Sequence, residues 1–390
     1  RVESTEVANT MGIGKMWSYN NPVRIIFGVD QFASIASLIN GRTYALVTYP
    51  EAPFQALTER VANGAGKPLI VVKDIAPNPD CRLLAEQSAR FASLTSVPEV
   101  IVAIGGGSVI DSAKVFAAAA GNFSRVQRYI ETGDGGSTLS AIPVIAVPTT
   151  AGTGSEVTSF ATVWDEERGR KFSLARKNLY PEVALVDPTL TLSKPHSLTL
   201  ATGLDALSHS IESIWNINAN PMSARHAVAA ARAILADLPN LLHDLTNLKL
   251  RHRIAEASLN AGLAFSNTKT AIAHSLSYPI TLGWGVQHGI ACSFILPTVL
   301  RSVVGIGGFR EAALKQVFGE DLDKGASDLT EFLASLGVGH RFADHGIPDI
   351  DCNHIINEAF TGERGKNFIG SQESFLKAAT QSGVLKLSPT

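Results

Sequence analysis

Two hydrophobic rhythms divide the chain. Up to about residue 192, short apolar runs rich in Val, Ile and Ala, at 44–49, 68–72, 100–104, 143–147 and 183–186, alternate with helix-length segments such as 80–95 and 108–120. Runs of that length bounded by turn residues predict buried strands, and strands separated by helices predict a largely parallel sheet covered on both faces. Such a sheet receives ligands at the carboxyl ends of its strands. Beyond 192 the spacing becomes helical, as in the stripe Leu204, Leu207, Ile211, Ile214 and Trp215. Helices are predicted over 223–242, 251–276, 290–304, 326–336 and 352–360. The expected fold class is an α/β N-terminal domain with a mostly parallel sheet, residues 19–192, followed by an all-α C-terminal domain, residues 193–390. Residues 1–18 are read as a disordered or added tail. No low-complexity linker separates the halves, so a ligand cleft is expected between them.

Composition narrows the function. Of 390 residues 17% are charged, and 33 Lys and Arg against 35 Asp and Glu leave a net charge of -2. Without a basic run, neither nucleic acid nor an anionic membrane is a favoured partner. Cys81, Cys292 and Cys352 are odd in number and scattered. That argues against a disulfide framework or a cysteine-rich zinc site and fits a reducing cytoplasm. The apolar stretch 289–308 is interrupted by Pro297 and Arg301, too short for a membrane span, and is read as a buried helix.

Three constellations carry chemistry. In GGGSVIDSAK, residues 105–114, a strand runs into Gly105, Gly106 and Gly107, and a helix opens at Ser108. Glycines admit close backbone approach, and unpaired N–H groups at a helix start suit a pyrophosphate. The spacing is neither G-x-G-x-x-G nor a Walker loop, which disfavours ATP. PTTAGTGSEVT, residues 148–158, follows another strand and supplies small hydroxyl donors for a second wall. Asp205 and His209 lie four apart on one helix face, Glu212 continues that face as a supporting carboxylate, and His274 and His288 follow. One carboxylate and three imidazoles are suitable ligands for a divalent transition metal, iron or zinc.

Together, these residues resemble the iron-containing, group III alcohol dehydrogenase family. GGGSVIDSAK, PTTAGTGSEVT, GLDALSHSIE at 203–212, His274 and the QHG at 287–289 match its signatures in order and spacing, over nearly the whole chain from about Tyr19. The resemblance implies a dehydroquinate synthase-like fold, a dinucleotide cofactor, a metal in the cleft and a homodimer. It assigns Asp205, His209, His274 and His288 to the metal, with Fe2+ favoured and Zn2+ the alternative. It assigns Gly106, Gly107, Ser108, Asp111, Thr149, Thr150, Thr153, Thr158 and Lys171 to the cofactor. Three positions depart from the family pattern. Tyr49 stands where NAD-preferring members often carry an acidic residue that repels a 2′-phosphate, so NADP(H) is permitted and the choice between NAD(H) and NADP(H) is open. Tyr278 replaces a histidine near the nicotinamide and is a candidate proton relay, and Phe160 replaces an asparagine contact with an apolar wall.

The implied reaction is hydride transfer between the nicotinamide and a metal-polarised carbonyl. Asn216, on the extrapolated face of Asp205, His209 and Glu212, and Lys269 are candidate substrate contacts, with Arg176 and Lys177 adding positive charge. These groups suggest a short, anionic aldehyde. The run TAIAHSLSYP at 270–279 most resembles family members that reduce phosphonoacetaldehyde to 2-hydroxyethylphosphonate. Maleylacetate reductase, a short-chain primary alcohol dehydrogenase, a sugar-phosphate cyclase of the dehydroquinate synthase type and a non-catalytic nucleotide- or metal-binding protein are the alternatives.

Overall fold

The computed structural model describes residues 16–385, so the expected tail lies outside the described residues except for 16–18, which carry no regular structure. Among the described residues eight strands are formed: β1 (Arg24–Phe27), β2 (Tyr44–Val47), β3 (Ile70–Val72), β4 (Val100–Gly105), β5 (Val144–Pro148), β6 (Phe160–Asp165), β7 (Arg170–Ala175) and β8 (Val183–Val186). Six of them build one parallel sheet in the order β1-β8-β5-β4-β2-β3, while β6 and β7 pair as an antiparallel hairpin. Five helices belong to this half: α1 (Ile35–Ile39), α2 (Ala52–Ala65), α3 (Cys81–Ala92), α4 (Gly107–Ala119) and α5 (Phe123–Thr132).

The strands form because their apolar residues have two faces to bury. In β2 and β4, Ala45, Val47, Ile101 and Ala103 pack under Leu84, Phe91 and Phe116, whereas Tyr44, Leu46, Val100 and Val102 face Phe32, Ile35 and Val61 on the other side. The chain steps from β2 outward to β3 but from β4 outward the opposite way. This reversal opens a crevice at the carboxyl ends of β2 and β4, beside Tyr49 and Gly105.

The second half is helical: α6 (His196–Glu212), α7 (Pro221–His243), α8 (Leu248–Thr268), α9 (Ile272–Trp284), α10 (His288–Ser293), α11 (Leu296–Ser302), α12 (Gly308–Phe318), α13 (Leu322–Ser335), α14 (Asp349–Thr361) and α15 (Gln372–Gln381). Their apolar faces share one core around Trp215, Leu238, Phe294 and Phe342. No helix among the described residues is long and apolar enough to cross a membrane.

Four local expectations are corrected. The predicted helix 251–276 is two helices, because Lys269 takes φ 62° and Glu212 accepts hydrogen bonds from the N–H groups of Ala271 and Ala273 that open the second. The predicted helix over 289–308 is likewise two, α10 and α11, with Pro297 accommodated in the first turn of the second. The helix after the three glycines begins at Gly107 rather than Ser108. Strands β1, β6 and β7 were not anticipated, and the hairpin matters most, because it forms one wall of the site.

Candidate active site in the interdomain cleft

Three helices deliver the proposed metal ligands. Asp205 and His209 project from α6, His274 from the first turn of α9, and His288 opens α10. The Nε2 atoms of His274, His209 and His288 lie 3.3, 3.8 and 3.8 Å from one carboxylate oxygen, Asp205 Oδ1. Each imidazole is held by its other nitrogen. His274 Nδ1–H donates to Glu212 Oε2 at 2.6 Å, His209 Nδ1–H to the Gly152 carbonyl at 3.2 Å, and His288 Nδ1–H to Ser277 Oγ at 3.4 Å. A proton fixed on Nδ1 leaves the Nε2 lone pair free, and three such lone pairs converge here. Buried His274 Nε2 makes no aligned hydrogen bond despite its nearness to Asp205, because both atoms aim at a common centre.

Electrostatics agree for Asp205, His209 and His288; burial acts to lower His274, but Cys292 and Glu212 outweigh it and hold that ring above its ordinary value, so a metal at its Nε2 would displace a proton. Burial acts to raise the Asp205 carboxyl, but His209, His274 and His288 outweigh it and hold the group below its ordinary value. Burial pushes His209 down to about 4 and His288 to about 3, so both are neutral near pH 7. Cys292, four residues after His288, was missed in the sequence; its Sγ lies 3.6 Å from Asp205 Oδ1 and joins Asp205, His274 and His288 in a tight cluster. Between the two candidates, His209 is the donor better prepared for a metal. Burial pushes the Cys292 thiol up to about 11, and its S–H already donates to the His288 carbonyl, whereas His209 is neutral and oriented.

The glycine turn stands across the cleft. A Cβ on Gly107 would come within 2.7 Å of Thr153 Cγ2, and one on Gly106 within 3.3 Å of Thr150 Oγ1, so bare backbone lets the two loops touch. Lys114 secures the second loop: its buried Nζ donates to the Ser155 and Phe160 carbonyls and to Thr158 Oγ1. Asp111 Oδ2 accepts from Thr162 N–H, while Asp111 Oδ1 and Thr149 Oγ1 are buried without partners.

A cavity of about 770 Å³ joins the two regions, within the size range of small-molecule sites. Gly107, Ser108, Asp111, Thr153, Thr158 and Phe160 line it from one side. All four proposed ligands, with Lys269 and Tyr278, line it from the other, and Lys171 of the β6–β7 hairpin lines it on the side of the glycine turn. Gly105, Gly106, Thr149, Thr150 and Tyr49 are not in its wall; they form the turn behind it, with Tyr49 Oη 3.9 Å from where a Gly106 Cβ would sit. Burial pushes the Tyr49 hydroxyl up, with Ser108 opposing through a hydrogen bond.

Asn216 is a correction. Helix α6 stops at Glu212, so its register does not extend to 216. The fully buried Asn216 amide instead donates to the Lys269 carbonyl and accepts from Asn218 N–H, bracing the left-handed bend. Arg176 and Lys177 are also misplaced by sequence reasoning: Arg176 donates to the Ser140 carbonyl, and neither lines the cavity. The cation that sequence reasoning missed is Arg364, in the turn after α14, where Glu363 and Asn367 also line the wall. Phe265 was missed too; it stacks on the His209 ring at 4.1 Å. Only the glycine flanks of Arg364 marked its turn in advance.

Tyr278 sits between the two chemistries. Its ring stacks with His288 at 5.8 Å, with Lys171 Nζ 3.5 Å and Arg364 Cζ 4.7 Å from its centroid. Burial acts to raise its hydroxyl, and Arg364 and Lys171 reverse the shift to a net lowering.

Comparison with known proteins fits this geometry. Residues 22–188 match the iron-containing alcohol dehydrogenase model, and residues 199–375 match the C-terminal model of the same family. The chain is 32% identical to the NAD-dependent methanol dehydrogenase of Bacillus methanolicus over 271 residues, 67% of this chain and 71% of that protein. It is 37% identical to the phosphonoacetaldehyde reductase of Streptomyces viridochromogenes over 240 residues, 60% of each chain. The crystal structure of sulfoacetaldehyde reductase from Bifidobacterium kashiwanohense in complex with NAD+ superposes with a TM-score of 0.86 at 27% identity, covering 96% of this chain and 100% of that one. Family models over both halves, and a cleft that joins a glycine turn to a histidine cluster, make this chain a member of the iron-containing alcohol dehydrogenase family and an enzyme of its nicotinamide-dependent oxidoreductase class.

Proposed function

We propose that the protein reduces a short aldehyde carrying an anionic head, of which phosphonoacetaldehyde is the leading case, using NADH or NADPH. One observation carries the substrate class: Lys171, Lys269 and Arg364 line the same cavity as the histidine cluster, and among the described residues none of the three forms a salt bridge. Unpaired cations in a cleft attract an anion. The relative named phosphonoacetaldehyde reductase supports the same reading.

The donor set fits a divalent metal held by Asp205, His209, His274 and His288, Fe2+ in our reading, with Zn2+ equally suited to imidazole. When bound, such an ion supplies Lewis acidity to a carbonyl oxygen, and the nicotinamide supplies hydride. The protein supplies placement. The α4 N-terminus with Ser108, and the Thr153 loop, receive the dinucleotide's phosphates. Phe160 and Phe265, their rings 5.6 Å apart, exclude water from the transfer path. Tyr278 Oη is the hydroxyl we assign to deliver the proton. Tyr49 puts no carboxylate against a 2′-phosphate, which admits NADPH.

A panel of phosphonoacetaldehyde, sulfoacetaldehyde, maleylacetate and propanal, each with NADH and NADPH, tests the proposal. An anionic two-carbon aldehyde is expected to exceed propanal by roughly tenfold or more in kcat/KM, the scale of one charge-assisted contact. Propanal outperforming every anion overturns the substrate class. A strong preference for NADH refutes the role given to Tyr49.

A further inference from the structure

Two of the three cavity cations have a role or a setting that separates them from the third. Lys171 sits on β7 in the wall shared with the glycine turn, and it feels both Asp111 and Tyr278. Lys269 is exposed at the bend between α8 and α9. Arg364 comes from the opposite side, on the turn after α14, and reaches over Tyr278 with its guanidinium 4.7 Å from the ring centroid. Tyr278 in turn stacks on His288, so the ring beneath the guanidinium also borders the proposed ligand cluster.

We infer that Arg364 is the residue that receives the anionic head of the substrate, in a subsite that it shares with the Tyr278 ring. This rests on the reading that the enzyme takes an anionic aldehyde. The Arg364 side chain makes no hydrogen bond or salt bridge among the described residues, and the neighbouring Glu363, though in the same wall, does not pair with it. Its five N–H donors are therefore uncommitted, and its guanidinium lies over the Tyr278 ring. A planar fork of donors matches a tetrahedral phosphonate or sulfonate through paired N–H···O bonds, which a lysine point charge does not reproduce.

The test compares holoenzyme Arg364→Gln and Arg364→Lys with the parent. Steady-state kinetics with phosphonoacetaldehyde, sulfoacetaldehyde and propanal would be accompanied by calorimetric binding of ethylphosphonate, an unreactive probe, and by an NADH titration. Arg364→Gln is expected to raise KM for the anionic aldehydes at least 10- to 100-fold more than for propanal, the range of a charge-assisted hydrogen bond, and to weaken ethylphosphonate by a similar factor. Arg364→Lys is expected to recover only part of the loss. Equal losses on propanal and on the anions overturn the inference, because they report misfolding or a general role. Weakened NADH binding with unchanged ethylphosphonate binding also overturns it, placing Arg364 on the cofactor. If the parent enzyme itself favours propanal, the anionic-substrate reading fails first, and that outcome is visible before any variant is made.

Discussion

Glu212 is wholly buried, and its carboxylate accepts from His274 Nδ1–H and from the backbone N–H groups of Ala271 and Ala273. One side chain therefore orients a proposed metal ligand and opens the helix that carries it. Glutamine keeps the shape but offers one acceptor oxygen and an NH2 group that faces donors, so at least one bond is lost. Glu212→Gln is expected to weaken metal affinity by roughly 10- to 100-fold, the usual effect of disturbing a ligand's supporting partner, and to cost about 1–3 kcal/mol of stability. Chelator competition with elemental analysis measures the first, and denaturant unfolding the second. Unchanged metal affinity would falsify the assignment of His274 as a ligand held by Glu212. At this scale much of the site was legible, because Asp205, His209 and Glu212 are spaced by helix geometry and their chemistry is in their side chains. Cys292, Phe265 and Arg364 were not, since a thiol, a phenyl ring and a loop guanidinium acquire a role only from what folding brings against them.

Legibility at the level of elements followed pattern strength. Strands β2, β4, β5 and β8 are apolar and buried on both faces, and their runs stood out. The hairpin β6–β7 did not, because Arg170, Lys171 and the charged turn before them mask its alternation. The break between α8 and α9 lacks proline or glycine; Lys269 adopts φ 62° there because Asn216 and Glu212 hold the flanking backbone. Gly289 shows the opposite case, a glycine with a packing reason. A Cβ there would lie 1.8 Å from the Ala201 carbonyl oxygen, so α10 rests on α6 backbone to backbone. Gly289→Ala must move α10 and with it His288. The expected result is a loss of about 1–3 kcal/mol, or more, with lower metal content. Gly283→Ala, in α9 with nothing within 4 Å of its added methyl, is the matched control. It is expected to be neutral or to stabilise by a fraction of a kcal/mol, since alanine is the better helix former. Equal melting temperatures and metal contents for the two variants would refute the packing argument.

Across the whole molecule, the loop 152–154 connects the two halves of the site. Thr153 packs against Gly107 at the start of α4, and a Cβ on Gly154 would meet Gly262 Cα of α8 at 2.7 Å. Between them, the Gly152 carbonyl accepts from His209 Nδ1–H. A path of contacts thus runs from the glycine turn through this loop to the histidine cluster. A metal held at His209 Nε2 would keep the proton on Nδ1 and preserve the bond to Gly152; without it the imidazole would be free to change tautomer and release the loop. Binding free energies are reciprocal, so whatever the loop transmits from metal to dinucleotide it also transmits back. Removing the metal is expected to weaken NADH binding by roughly five- to tenfold, at the lower end of ordinary coupling energies. Fluorescence titration of NADH with holo, chelator-treated and reconstituted protein measures this. Recovery on adding back Fe2+ or Zn2+ separates coupling from damage, and an NADH Kd unchanged by chelation would show that the halves share a cleft without sharing energy.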